Sequence, residues 1–157
     1  MERWRFLRHA VRDALNAASG YDVIVLGAGG AGLMCAAIAG QRGRRVLVID
    51  HADEPGKKIL ISGGGRCNFT NHHTAPDRYI SANPHFAKSA LGRYRAADFI
   101  ALVDQHGIAW HEKTLGQLFC DGSARQIVEM LMYECAGGRV EVALGCTIGA
   151  IDHADGA

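Results

Sequence analysis

Two glycine-rich strings carry the chemistry of this sequence. The first is Gly27-Ala28-Gly29-Gly30-Ala31-Gly32, a G-x-G-x-x-G pattern. In such a turn Gly27 makes the tight bend and Gly29 lets the backbone approach a pyrophosphate. Gly32 lets the following helix pack closely on the strand. Gly30 and Ala31 fill the variable positions at the helix start, where free N–H groups and about half a positive charge attract an anion. Asp50 follows roughly 20 residues on, where a carboxylate accepts hydrogen bonds from ribose hydroxyls. Its charge repels a 2′-phosphate, so an NADP site is not expected here. The pattern does not separate FAD from NAD.

The second string is Lys57-Lys58-Ile59-Leu60-Ile61-Ser62-Gly63-Gly64-Gly65-Arg66-Cys67-Asn68-Phe69-Thr70-Asn71. Three successive glycines permit positive φ and can turn N–H groups toward an anion. Arg66 adds a cation with a planar donor fork. Asn68, Thr70 and Asn71 add neutral donors and acceptors. The set suits a pyrophosphate or the edge of a flavin; a flexible surface loop explains it equally well.

Other reactive types form no recognisable device. The five cysteines (35, 67, 120, 135 and 146) contain no CxxC pair, so a zinc ribbon or dithiol redox centre has no support. Cys67 is read as packing rather than catalysis, and Cys35 and Cys120 as core. The eight histidines make no HExxH motif, and His72-His73 are expected to be solvated. No serine-hydrolase elbow is present.

The elements that must position these residues follow from periodicity. YDVIVLG reads as a buried parallel strand, Ala31 to Gln41 as a helix ended by Gly43, and RRVLVID as a second strand. Strand, glycine turn, helix and strand make a βαβ unit. Residues 51–83 read as loop with a small apolar island at Ile59 to Ile61. Asn83-Pro84 predicts a helix start running toward Arg93. A further helix is expected over Ala96 to His106, closed by Gly107. IAWHE and QLFCD read as paired strands. Ser123 with Gln126 is a capping-box pattern opening a helix that stops at Gly137-Gly138. VEVAL and TIGAID are strand-like, and Ala154-Asp155-Gly156 is a hairpin turn. The chain ends inside that turn, which points to a longer protein. Residues 1–20 read as a basic amphipathic extension.

Length and composition bound the rest. The chain has 157 residues, 48% hydrophobic and 21% charged, with a net charge of +1. No whole-molecule field draws in nucleic acid, so no nucleic-acid partner is expected. No apolar run approaches the ~20 residues of a membrane span, and a cytoplasmic location is expected.

The string KKILISGGGRCNFTN resembles the signature of bacterial BaiN-like (aminoacetone-oxidase-like) NAD(P)/FAD-dependent oxidoreductases. ANPHFAKSAL at 82–91, GQLFCDGSARQIVEML at 116–131 and the strands from Val140 to Asp152 add to it. The resemblance covers Tyr21 to Asp152. It implies a Rossmann-like FAD-binding α/β fold over 21–157, with the start of an inserted α+β domain, cut short of the family's usual length. Gly27, Gly29 and Gly32 would then meet the FAD pyrophosphate and Asp50 the adenosine ribose, where many FAD proteins carry Glu. Lys57 and Ser62, Gly63, Gly64, Gly65, Arg66, Cys67 and Asn68 would line the cofactor between pyrophosphate and flavin. The backbone at Ile148 would meet adenine. NAD(P)H is the implied electron donor and a missing C-terminal portion the implied docking partner, with the substrate undefined.

Two alternatives stand beside this. One is a nucleotide-binding module without catalysis. The other is the NAD domain of an ordinary dehydrogenase, which has no need of the second glycine string.

Overall fold

A computed structural model describes residues 20–149 and Ile151. The proposed N-terminal amphipathic segment and the 154–156 hairpin turn lie outside the described residues. The chain divides into two compact units. One comprises the described residues up to Lys57 and from Leu131 onward; the other is Lys58–Met130.

The first unit is a parallel sheet of β1 (Val23–Leu26), β2 (Val46–Ile49) and β6 (Glu141–Ala143), with β2 in the middle. The registers are Val23 opposite Val46 and Leu47 opposite Glu141. A strand with a neighbour on each side and cover on both faces should be apolar throughout. Val46, Leu47 and Val48 are accordingly buried. Helix α1 (Gly30–Gln41) links β1 to β2 and buries Leu33, Ala36 and Ala37. It ends where expected: Gly43 takes φ +82° and its N–H bonds to the Gly40 carbonyl.

The second unit is antiparallel, in the order β3 (Asn68–Asn71), β5 (Gln117–Cys120), β4 (Trp110–Glu112). The helices α3 (Lys88–Arg93) and α4 (Ala96–Gln105) lie between β3 and β4 in sequence. Phe69 meets Phe99 of α4 and Trp110 of β4 at ring-centre distances of 6.1 and 6.3 Å. Gly107 closes α4 at φ +65°, as its sequence position predicts. Helix α5 (Arg125–Gly137) opens with the predicted cap: the Gln126 side chain accepts from the Ser123 N–H, and Ser123 Oγ accepts from the Arg125 N–H.

Several local expectations change. Lys57–Ile61 is a short helix (α2), followed by a tight turn over Ser62–Gly65, where a loop is expected. Asn68–Asn71 is a strand because β5, about 50 residues later, supplies its ladder. The helix toward Arg93 begins at Lys88 rather than at Pro84. Asn83 instead accepts the His85 N–H in a turn of its own. The helix α5 does stop at Gly137, as expected, and the left-handed residue beyond it is Arg139, at φ +55°. Gly138 is required for space. A side-chain carbon there would lie 2.9 Å from the Gln41 nitrogen, and one at Gly40 would overlap the Gly138 carbonyl oxygen. The strand expected over 147–152 is absent from Thr147 to Gly149, where the ladder has already ended at Ala143.

Candidate functional site

The first unit gathers Gly27, Gly29, Gly30, Ala31, Gly32 and Asp50 at the ends of β1 and β2. Gly27 leaves β1 at φ +108°, a conformation that favours glycine. Its N–H still bonds to the Ile49 carbonyl at 2.8 Å. Gly29 caps α1 in extended backbone, and a side-chain carbon placed on it would meet no atom within 4 Å. The outer face of the turn is thus open to an approaching group. A carbon at Gly32 would overlap the Gly27 carbonyl oxygen, so this glycine is demanded by packing. Gly30 and Ala31 form the first turn of α1, with no acidic side chain to occupy its N–H groups.

Asp50 is locked beside this turn. Its Oδ2 accepts the Ala28 N–H at 2.6 Å and its Oδ1 accepts the Ala52 N–H at 2.8 Å. Partial burial raises its pKa, but the two N–H donors, the His51 ring and the Lys57 charge outweigh that and leave it below the usual carboxylate range. A carboxylate has about four lone-pair sites, so two remain for hydroxyl donors. The open backbone at Gly29, the helix start and a fixed ionised carboxylate together fit a dinucleotide.

Lys57 is paired with Asp53 at 2.8 Å, and that hydrogen bond raises its pKa. Ile148 lies beyond β6 on exposed, non-strand chain. The late segment that runs beside Asp50 is Cys146, whose N–H bonds to the Asp50 carbonyl at 2.9 Å. Local pattern reading missed this because the pairing spans most of the chain.

The second unit holds Ser62, Gly63, Gly64, Gly65, Arg66, Cys67 and Asn68. The three glycines do take positive φ, at +56°, +66° and +85°. The loop folds on itself, however. The Arg66 N–H bonds to the Gly63 carbonyl and the Cys67 N–H to that of Ser62, so these two donors are not turned outward to an anion. The Ala124 N–H bonds to the Gly65 carbonyl at 2.7 Å, tying the loop to the start of α5. Ser62 Oγ donates to the Ile59 carbonyl. The Arg66 side chain is exposed and has no ion-pair partner among the described residues.

Cys67 is buried and left-handed at φ +55°, a strain of about 1–2 kcal/mol for a residue with a Cβ. Burial pushes its thiol up, against the pull of the Ser62 hydroxyl. An elevated thiol is a poor nucleophile, in line with a packing role. Cys120 is buried as expected, whereas Cys35 is exposed rather than core. A polar pair not singled out by motif lies nearby: His111 Nδ1 and Asp121 Oδ1 are 2.6 Å apart, and the His111 ring stacks on Phe119. Residues ten apart in sequence come together there through the β4–β5 ladder.

No His, Cys, Asp or Glu group among the described residues could hold a metal ion, and no described helix is long and apolar enough to cross a membrane.

Comparison with known proteins agrees with the geometry. The "Ribosomal RNA dihydrouridine synthase" of Escherichia coli K12 is 65% identical over 120 residues, which are 76% of this chain and 30% of that protein. The chain therefore spans under a third of that relative's length. The likeness to BaiN-like flavoproteins is the more distant one: the "3-dehydro-bile acid delta(4,6)-reductase" of Clostridium scindens is 28% identical over 132 residues, 81% of this chain and 32% of that protein. Among solved structures, a 3-ketosteroid-delta4-(5alpha)-dehydrogenase of Rhodococcus jostii RHA1 shares the fold. Its TM-score is 0.56 at 13% identity, covering 84% of this chain and 40% of that one. The family model described as the HI0933-like protein Rossmann domain matches residues 21–157, and with its parallel sheet, glycine turn and terminal Asp50 the chain belongs to that family.

Proposed function

We propose that this chain is the flavin-binding portion of an FAD-dependent oxidoreductase whose full length reduces uridine in ribosomal RNA, with NAD(P)H as electron source. The observation that carries the cofactor reading is the Asp50 carboxylate held 2.6 Å from the Ala28 N–H, beside the open backbone of Gly29. The substrate rests on the printed name of the E. coli relative. Turning uridine into dihydrouridine adds one hydride and one proton across a ring C=C bond, and bound FAD supplies the two-electron step.

The residues of this chain bind and orient. Gly29 and the first N–H groups of α1 receive the pyrophosphate. The spare lone pairs of Asp50 accept the ribose hydroxyls, and its low pKa keeps it ionised at neutral pH. The string Ser62 to Asn68 is assigned to the cofactor on its sequence pattern, with Arg66 as its available cation. The reading of a non-catalytic nucleotide-binding module has no observation in its favour.

Gly29→Ser tests the cofactor assignment without disturbing the fold. Serine is a preferred helix N-cap, and the added atoms meet open space. After incubation with FAD and desalting, the wild-type chain should keep a flavin absorption spectrum. The variant should bind at least tenfold more weakly, at unchanged or slightly higher thermal stability. Equal flavin retention by the two would sink the assignment.

A further inference from the structure

The 72–96 segment stands apart in charge. It contains Arg78, Lys88, Arg93 and Arg95 against one carboxylate, Asp77, so it carries +3 while the whole chain carries +1. The rest of the protein is therefore net negative. Three histidines (72, 73 and 85) lie in the same segment. The whole-chain charge of +1, on which no nucleic-acid partner is expected, averages this segment away.

The fold gathers these residues on the second unit. Pro76–Arg78 forms a short turn, and α3 carries Lys88 and Arg93. A cavity of about 250 Å³ lies between them, lined by Thr74, Pro76, Lys88, Leu91 and Arg95 among others. Lys88 and Arg93 are exposed and make no ion pair among the described residues. Arg95 is positioned by Asp98, whose carboxylate accepts from both Nε and Nη2, at 3.2 and 3.1 Å.

In the same segment, Tyr79 and Phe86 pack edge to face at 6.0 Å, yet they remain 44% and 52% exposed. Ile80, next to Tyr79, is fully exposed. A segment that carries two exposed aromatic rings and four cations has the makings of a single-strand nucleic-acid surface. Cations track the phosphates and ring faces stack on bases without regard to sequence.

We propose that this surface, with Lys88 and Arg93 as phosphate contacts and Phe86 and Tyr79 as stacking platforms, binds a single-stranded stretch of RNA. The assignment rests on the RNA half of the function proposed above and not on the flavin half. Charge selects this occupant: an apolar protein partner would have no use for a +3 segment on a nearly neutral chain.

The test is fluorescence anisotropy of a fluorescein-labelled 20-nucleotide oligouridylate titrated with the full chain over a series of salt concentrations. Wild type should bind, with affinity falling as salt rises. The double variant Lys88→Glu/Arg93→Glu should bind at least tenfold more weakly, and the slope of log K against log salt should flatten by about 1.4, the share of two phosphate contacts on a single strand. Phe86→Ala should weaken binding roughly fivefold or more at an unchanged slope, because stacking releases no counterions. Arg139→Glu, a single charge reversal in the first unit, should leave both quantities as they were.

All four positions are solvent-exposed, and matching circular dichroism and thermal midpoints would show that each variant folds. Absence of wild-type binding, wild-type binding by the double variant, or an equal loss in Arg139→Glu would each overturn the surface. Flavin absorbance on the same samples separates the two readings. A chain that binds the oligouridylate through Lys88 and Arg93 but retains no flavin leaves the surface standing and removes the cofactor assignment.

Discussion

The turn at Gly27–Gly32 and the loop at Gly63–Gly65 look alike as sequence but use glycine for different reasons. In the turn, one glycine of four needs a left-handed backbone: Gly27 has φ +108°, whereas Gly29 is extended and Gly30 and Gly32 are helical. What matters there is volume. Gly32 has the Gly27 carbonyl where its side chain would be, and Gly29 has nothing at all. In the loop, every glycine is left-handed, and two of the three have open space around them. Space kept clear on an otherwise rigid turn is what a ligand-binding backbone needs. A left-handed run whose following N–H groups bond back to the loop's own carbonyls is first a way of reversing the chain. Of the two, the turn is the one that leaves clear space beside its helix-capping glycine on an otherwise packed backbone.

Replacing these glycines in sequence sharpens the contrast. Gly32→Ala should cost the most. Glycine to alanine inside a helix ordinarily stabilises by about 1 kcal/mol, but here the new carbon meets backbone that cannot move aside. A loss of about 3 kcal/mol or more, read as a lower urea midpoint, is expected. A gain would mean that the helix and turn are not in contact. Gly63→Ala should follow at about 2–4 kcal/mol, combining the left-handed penalty with a carbon 2.6 Å from the Phe119 ring.

Each unit also carries a thiol pushed up to about 11, chiefly by burial: Cys135 in the first and Cys120 in the second. Unfolded thiols titrate near ~8.5, so between there and about 11 the unfolded state releases protons that the folded state keeps. Stability is therefore fully present below about pH 8.5 and falls as pH rises toward 11, by roughly 1 kcal/mol per pH unit for each thiol. Urea midpoints across that range, for wild type, Cys120→Ala and Cys135→Ala, should show a shallower decline in each variant. Identical slopes would remove the thiols as the cause. The smallest effect belongs to Gly64→Ala, about 1 kcal/mol, since its backbone is left-handed but its surroundings are empty. A cost equal to that of Gly63→Ala would show that backbone conformation, and not the Phe119 contact, governs the whole loop.

Much of the nucleotide unit was legible in the residues. The apolar runs at 23–26 and 46–49, the glycine spacing and the acid at 50 are short-range signals. A βαβ unit is assembled almost wholly from neighbours in sequence. The caps at Gly43, Gly107 and Ser123 were equally local, because each concerns hydrogen bonds within one turn of the chain.

Tertiary structure decided what depends on distant partners. Asn68–Asn71 becomes a strand only because Gln117–Cys120 lies beside it. Gly40 and Gly138 are glycines because the ends of α1 and α5 press together, a contact across 98 residues that no periodicity announces. Lys57 is bound to Asp53, the late chain runs beside Asp50 at Cys146, and the Arg66 and Cys67 N–H groups bond back to carbonyls of their own loop. The sequence determined which groups exist and the order in which the chain presents them. Which of their donors and acceptors stay available was settled by the fold, because a hydrogen bond or a close backbone approach made elsewhere removes a group from the site.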